Sequence, residues 1–250
     1  TILQLCHSGD HIIASDTIYG GSHALFAELL PQMNIHTTFV DITDEAAVAA
    51  AFTDNTKVVY TEAIGNPTLR IANIPSLSKL AHQKGASLVV DNTFSPMIVS
   101  PAMLGADVVV YSMTKFINGA SDVIAGAICA SRDFILQLMD LHTGRVLLLG
   151  PTMDARVAFD IIQRLPHLSI RMREHGQRAM AMAALLEEMG TAVTYPGLPS
   201  FSQHTLAKQL INKGYGFGGM LALDCEDGEK ANKLMGILQN EEDFAYIKIE

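Results

Sequence analysis

Over its first half the chain alternates short, unbroken apolar runs with amphipathic segments, and few folds accept that pattern. "HIIAS" (11–15), "IHTTFVD" (35–41), "KVVYTEAI" (57–64), "SLVVDNT" (87–93), "DVVVYS" (107–112) and "GAICAS" (126–131) are strand-like. Between the early ones lie "GSHALFAELLPQ", "DEAAVAAAF" and "IPSLSKLAHQKG", which read as helices, the last ending at Gly85. A strand that is apolar at consecutive positions buries both its faces. The alternation therefore predicts an α/β domain with a mostly parallel sheet covered by helices.

The second half changes character. "PTMDARVAFDIIQRLP" reads as a helix bounded by prolines, and "HLSIRMREHGQRAMAMAALLEEMG" as a long one ending at Gly190. "TAVTYPGLPS" breaks the pattern, "GGMLALDCED" reads as a strand and "EKANKLMGILQN" as a helix. A boundary near Leu165-Pro166 divides the chain into a larger domain (1–166) and a smaller C-terminal α/β domain (167–250). At the ends, "TILQLCHSGD" reads as the last turns of a helix closed by Gly9, and "FAYIKIE" stops inside a strand-like run. The first residue is Thr1. The expectation is a fragment, or a chain whose ends lie outside this sequence.

Composition narrows the function classes. With 250 residues, 49% hydrophobic and 17% charged, the chain can bury a large core. A net charge of -9 argues against a nucleic-acid partner. No apolar run reaches membrane-spanning length. Cys6, Cys129 and Cys225 are few, odd in number and far apart, which points to a reducing, cytoplasmic compartment. The nine histidines lack metal-ligand spacing. "GYGFGG" (214–219) resembles a dinucleotide fingerprint but precedes a strand rather than a helix, and none follows the first strand, so a nicotinamide-dependent enzyme is disfavoured.

In an open parallel sheet, ligands bind beyond the carboxyl ends of the strands. The first strand delivers Tyr19, the third Asn66, the fourth Asp91 and Thr93, and the fifth Ser112, Thr114 and Lys115. Taken singly, each has an ordinary structural use. Asp91 could hold a turn, Lys115 could be solvated, Tyr19 could pack beside its glycines, and the hydroxyls could satisfy local backbone. Together they are the parts of a pyridoxal phosphate site. A lysine amine can bind the cofactor covalently. Ser112 and Thr114 can donate to a phosphate. An anion such as Asp91 can keep a pyridine nitrogen protonated, and Tyr19 offers a ring for stacking.

"YSMTKFINGASDVIAG", "DTIYGGSHALF", "EAIGNPTLRIANI", "VVDNTFSPM" and "GYGFGGML" together resemble, in order, the sequence blocks of the Cys/Met-metabolism pyridoxal-phosphate enzymes. "LLLGPTMDARVAFDIIQRLPHLSIRMREH" looks most like their methionine γ-lyase branch. The resemblance implies the fold-type I (aspartate aminotransferase-like) architecture, with pyridoxal 5'-phosphate as cofactor. It implies that Lys115 carries the cofactor and shuttles protons, that Asp91 pairs with the ring nitrogen, and that Tyr19 stacks on the ring and assists proton transfer or leaving-group departure. Ser112 and Thr114 would bind the phosphate, Asn66 the ring hydroxyl and substrate side, and Thr93 the opposite ring face. Glu62 lies in the same block as Asn66. The implied activity is a carbon–sulfur lyase acting on a small sulfur amino acid, converting methionine to 2-oxobutanoate, ammonia and methanethiol, in a homotetramer built of dimers. Cystathionine γ-lyase or γ-synthase and O-acylhomoserine sulfhydrylase chemistries share its first steps. A non-catalytic truncated relative is the alternative outside enzyme chemistry. A Gly-Met phosphate turn and a Tyr-x-Arg element are expected upstream of Thr1, and the substrate-carboxylate arginine beyond Glu250. Gly21 stands where some methionine γ-lyases carry Cys, which leaves substrate choice open.

Overall fold

The computed structural model describes residues 1–240; the expected final strand in "FAYIKIE" lies outside the described residues. In chain order the elements are α1 (Ile2–Leu5), β1 (His11–Ser15), α2 (Gly20–Ala24), β2 (His36–Val40), α3 (Glu45–Ala50), β3 (Thr56–Glu62), α4 (Ile74–Gln83), β4 (Ser87–Asp91), β5 (Val108–Ser112) and β6 (Gly126–Ala130). Then follow α5 (Arg132–Leu138), α6 (Arg145–Leu149), α7 (Ala155–Glu188), β7 (Val193–Thr194), α8 (His204–Leu210), β8 (Ala222–Leu223) and α9 (Gly228–Asn240).

The six-stranded sheet has the order β2-β1-β3-β4-β5-β6. Strands β1 to β5 are parallel, as the apolar runs predict, and β6 is antiparallel to β5. Side chains alternate between two cores. Ile13, Val59, Leu88, Val90 and Val109 pack with Val48, Leu77, Ile161 and Met172 on one face. Ile12, Ala14, Val58, Tyr60, Val89 and Val108 pack with Ile2, Phe26 and Leu30 on the other. Period-two alternation makes both faces apolar, and burial of this kind stabilises by roughly 25 cal/mol per Å². The order places β1 between β2 and β3. The chain leaves β1 in one direction and returns across it in the other, so the crevice between β1 and β3 is the topological switch point.

Local chemistry sets several boundaries. Asp44 caps α3 by accepting from the Ala46 and Ala47 N–H groups. Asn73 caps α4, whose second residue is Pro75, and Gly85 follows in the left-handed region at φ 72°.

Four expectations are corrected. The chain around Gly9 does not continue α1: the helix stops at Leu5, Cys6 is extended, and Gly9 (φ 94°) turns the chain into β1. The expected helix over "GSHALFAELLPQ" changes pitch along its length, from α2 through a π turn at Leu25–Leu29 to a 3₁₀ turn at Leu30–Met33. The two helices expected on either side of Pro166 are one: α7 runs through it. Burial of Ile161, Leu168 and Met172 against the sheet offsets the backbone bond that an internal proline removes. The strand expected in "GGMLALDCED" shortens to Ala222–Leu223, paired with Val193–Thr194.

The "GYGFGG" loop turns at Gly214, Gly216 and Gly218, all at positive φ, and packs closely on α7. A Cβ on Gly176 of α7 would lie 2.5 Å from the Tyr215 carbonyl, and one on Gly219 would lie 2.9 Å from the His175 Cβ. Buried Tyr195 donates to the Gly218 carbonyl at 2.9 Å and ties the loop from the other side.

Candidate active site

The residues expected at the carboxyl edge arrive there for local reasons. Tyr19 is the residue before α2, at φ −48° and ψ 134°, and is 52% exposed. Asn66 sits in the turn after β3, where the Gly65 N–H donates to the Arg70 carbonyl at 2.9 Å. Gln203 braces this turn from outside, exchanging two hydrogen bonds with the Ile71 backbone at 2.8 and 2.9 Å. Asp91 ends β4, directly across from Glu62 at the end of β3.

Tyr19, Asn66, Asp91, Thr93, Ser112 and Lys115 line one cavity of about 100 Å³, with Glu62, Ile64 and Phe94 completing its wall. Thr114 is set apart. It faces the adjoining wider cleft, which Lys115, Asn66, Arg171 and His175 also line. Its hydroxyl accepts from the Ala125 N–H at 3.0 Å, so it also fastens the lysine turn to the start of β6. Ser112 lies in the cavity wall, and its N–H donates to the Thr93 hydroxyl at 2.8 Å. The lysine turn closes when the Gly119 N–H donates to the Lys115 carbonyl and the Asn118 N–H to the Met113 carbonyl, both at 2.8 Å.

The electrostatics is dominated by two acids in a shielded crevice. Glu62 is buried. One of its oxygens accepts from the Tyr19 N–H at 2.7 Å and the other from the Asn66 N–H at 2.8 Å. Burial pushes its carboxyl up to about 7, the two N–H donors pull the other way, and neighbouring Asp91 adds to the rise. Asp91 is likewise raised by burial, against the pull of its bonds to Thr93 and Tyr60. It accepts from the Thr93 N–H at 2.9 Å and, over a long 3.4 Å, from the Tyr60 hydroxyl. A carboxylate offers about four lone pairs, so Asp91 keeps acceptor capacity for a donor in the cavity.

These groups suit a pyridoxal phosphate. Asp91 can accept from a protonated ring nitrogen, the half-exposed Tyr19 ring offers a face, and the Lys115 amine and Ser112 stand on the same cavity. The donor set is an acid, an amine, hydroxyls and an aromatic plane. Among the described residues, no cluster of three or more His, Cys, Asp or Glu is placed to hold a metal.

Four residues beyond the expected set shape the site. Tyr60 and Glu62 occupy alternate positions of β3, and a phenol followed by an acid inside an apolar run is the available signal. Asn92 is fully buried; its amide donates to the Val99 carbonyl and the Tyr111 hydroxyl, and its oxygen accepts from Ser95 at 2.6 Å. It fixes the turn carrying Thr93. Arg171 is distant in sequence, and nothing local announces it.

Known proteins align along nearly the full chain. The sequence profile of the Cys/Met metabolism PLP-dependent enzymes matches residues 1–241. A methionine γ-lyase of Arabidopsis thaliana is 53% identical over 99% of this chain, and the chain spans 57% of that protein's length. A probable cystathionine γ-synthase of Herpetosiphon aurantiacus is 37% identical, covering 94% of this chain and 73% of its own. The crystal structure of a cystathionine γ-lyase from Lactobacillus plantarum complexed with L-serine superposes with a TM-score of 0.82 at 31% identity, over 89% of this chain and 57% of that one.

Proposed function

We propose that this chain, which belongs to the Cys/Met metabolism PLP-dependent enzyme family, carries the catalytic lysine of a carbon–sulfur lyase acting on methionine. The observation behind the reading is the convergence of Tyr19, Asp91, Ser112 and Lys115, from the ends of different strands, on one cavity. The 53% identity to a methionine γ-lyase supports the choice of substrate.

Pyridoxal phosphate, when bound, supplies an electron sink that makes the substrate's α-proton removable. The protein's part is orientation and proton handling. Lys115 Nζ is the group that would hold the cofactor and would serve as the base for the α-proton. Asp91 would accept from the protonated ring nitrogen through its remaining lone pairs, and the buried surroundings that raise its own proton affinity would strengthen that bond. Tyr19 would stack on the ring and assist proton transfer or departure of the sulfur. Ser112 and Thr114 would bind the phosphate, Asn66 would meet the ring hydroxyl, and Thr93 would cover the other ring face. The balanced outcome is methionine plus water to 2-oxobutanoate, ammonia and methanethiol. The division into a cofactor-binding part (1–166) and a smaller C-terminal part (167–250) belongs to the same proposal, with α7 as their shared connector. So do a homotetrameric assembly and a cytoplasmic location. Among the described residues, no helix is long and apolar enough to cross a membrane.

Cystathionine is the second reading, because relatives 36–37% identical bear cystathionine lyase and synthase names. The test is to add pyridoxal phosphate, reduce with borohydride and map the modified peptide. Attachment at Lys115, its loss in Lys115→Ala, and methanethiol release from methionine would support the reading. Attachment elsewhere, or full turnover by Lys115→Ala, would sink it. Faster turnover of cystathionine than of methionine would select the second reading.

A further inference from the structure

The turn that carries Lys115 is held from outside the sheet by α7. The Arg171 guanidinium donates to the Phe116 carbonyl at 2.6 Å and to the Ile117 carbonyl at 2.9 Å. Those carbonyls belong to the two residues that follow Lys115. Gly119 closes the same turn at φ 73°, and a Cβ there would lie 2.3 Å from an Arg171 terminal nitrogen. The guanidinium thus occupies space that only glycine leaves open. Two helical turns earlier on the same face, Arg164 makes a paired contact with Asp122 at 2.7 and 2.9 Å and touches the Asn118 amide oxygen. Asn118 and Asp122 lie just beyond Lys115, and the Asn118 amide donates to Asp122 at 3.1 Å. The lysine turn therefore meets α7 at two arginines, and the one nearer Lys115 grips backbone rather than a side chain.

We propose that Arg171 is a positioning residue for Lys115: its fork fixes the Phe116 and Ile117 carbonyls and thereby sets where the lysine amine stands in the cavity. The inference rests on the reading that Lys115 carries the cofactor. A planar fork caps two adjacent carbonyls with one rigid group, whereas an ammonium is a single point donor. Backbone capping also explains the choice of cation. Among the described residues no acid faces the Arg171 terminal nitrogens at hydrogen-bond distance, and the carbonyls themselves are the ligands. Arg171 loses some proton affinity through desolvation and through neighbouring Arg164. It also lines the cleft beside Lys115, so displacing it alters the surroundings of the amine as well as its position.

The test compares the whole chain with Arg171→Lys and, as a helix control, Arg178→Lys, whose arginine makes an exposed pair with Glu174. Three readouts are taken: melting temperature, the rate at which added pyridoxal phosphate becomes fixed to Lys115, and the pH midpoint of the bound cofactor's absorbance. Arg171→Lys should attach cofactor about tenfold more slowly, the rate equivalent of one lost charge-assisted hydrogen bond, and should shift the midpoint. Arg178→Lys should match the parent. Free guanidinium ion at millimolar concentration should speed attachment in Arg171→Ala, and equimolar ammonium should not. If Arg171→Lys attaches cofactor at the parental rate with the parental midpoint, the proposal falls while the assignment of Lys115 stands. If the parent itself does not attach cofactor at Lys115, both fall. Should Arg171→Lys fail to fold, Gly119→Ala, which forces the guanidinium away, takes its place. A parental rate and midpoint there overturn the proposal, and slowed attachment with a shifted midpoint supports it.

Discussion

The Glu62 carboxylate joins two loops that are far apart in sequence, accepting the Tyr19 N–H at 2.7 Å with one oxygen and the Asn66 N–H at 2.8 Å with the other. It is a buried acid whose ligands are backbone donors rather than a cation. The two walls of the cavity are therefore held at a spacing set by one side chain.

A pH dependence follows. The folded-state value for Glu62 is raised to about 7 from an ordinary 4.5, so the folded protein binds the proton more tightly than the unfolded chain. Stability from this group is greatest below the unfolded value, falls as pH rises from 4.5 to about 7, and is flat above. The loss across that window is on the order of 3 kcal/mol. Urea denaturation of the parent and of Glu62→Gln across that range should show the difference between them changing with pH. A constant difference would refute the assignment.

Asp91→Asn separates stability from chemistry. The amide oxygen can still accept the Thr93 N–H, and the substitution removes a charge that burial disfavours. The melting temperature should hold or rise. Turnover should drop by roughly 10²–10⁴, the range associated with losing a positioned proton partner. A variant as active as the parent would remove Asp91 from its proposed role.

Gly20 and Gly21 are adjacent, and both lie in α2. A Cβ on Gly20 meets nothing within 4 Å, but one on Gly21 would lie 2.6 Å from Tyr19 Cε1. Helix propensity alone favours alanine at either position by about 1 kcal/mol. Gly20→Ala should stabilise without altering kcat/KM. Gly21→Ala should move the tyrosine ring and change cofactor affinity. Equal effects in both variants would show that the ring is not packed against Gly21.

Gly176→Ala tests the close approach of α7 to the loop at Tyr215. The added carbon would lie 2.5 Å from a backbone oxygen. Overpacking should cost about 1–3 kcal/mol despite the gain in helix propensity, read as a lowered denaturation midpoint. A raised midpoint would contradict the packing.

Strands β1, β3, β4 and β5 were legible because each is apolar at consecutive positions, as a doubly covered sheet requires, and the edge strand β2 was legible from its β-branched run. Their carboxyl ends then brought Tyr19, Asp91 and Lys115 together with no tertiary information beyond strand direction. The reversal at β6 was not legible. It depends on the turn between Met113 and Ala125, fixed by Thr114 and by hydrogen bonds to the Ala125 carbonyl rather than by hydrophobic period. Continuity of α7 was hidden because a proline is a local stop signal, whereas the burial of Leu168 and Met172 that overrides it is tertiary. Arg171 was invisible for the same reason: its partners are carbonyls, which every residue has.

The clamp on the lysine turn also orders events during synthesis. The lining residues are all translated by Lys115, but the arginine that grips Phe116 lies 55 residues later. A ribosome adding residues from the N-terminus exposes the cavity walls before α7 has emerged, leaving the nascent lysine turn ungripped. Cofactor capture by the growing chain would then begin from a looser turn, and the arrival of α7 would convert a tentative encounter into a held one.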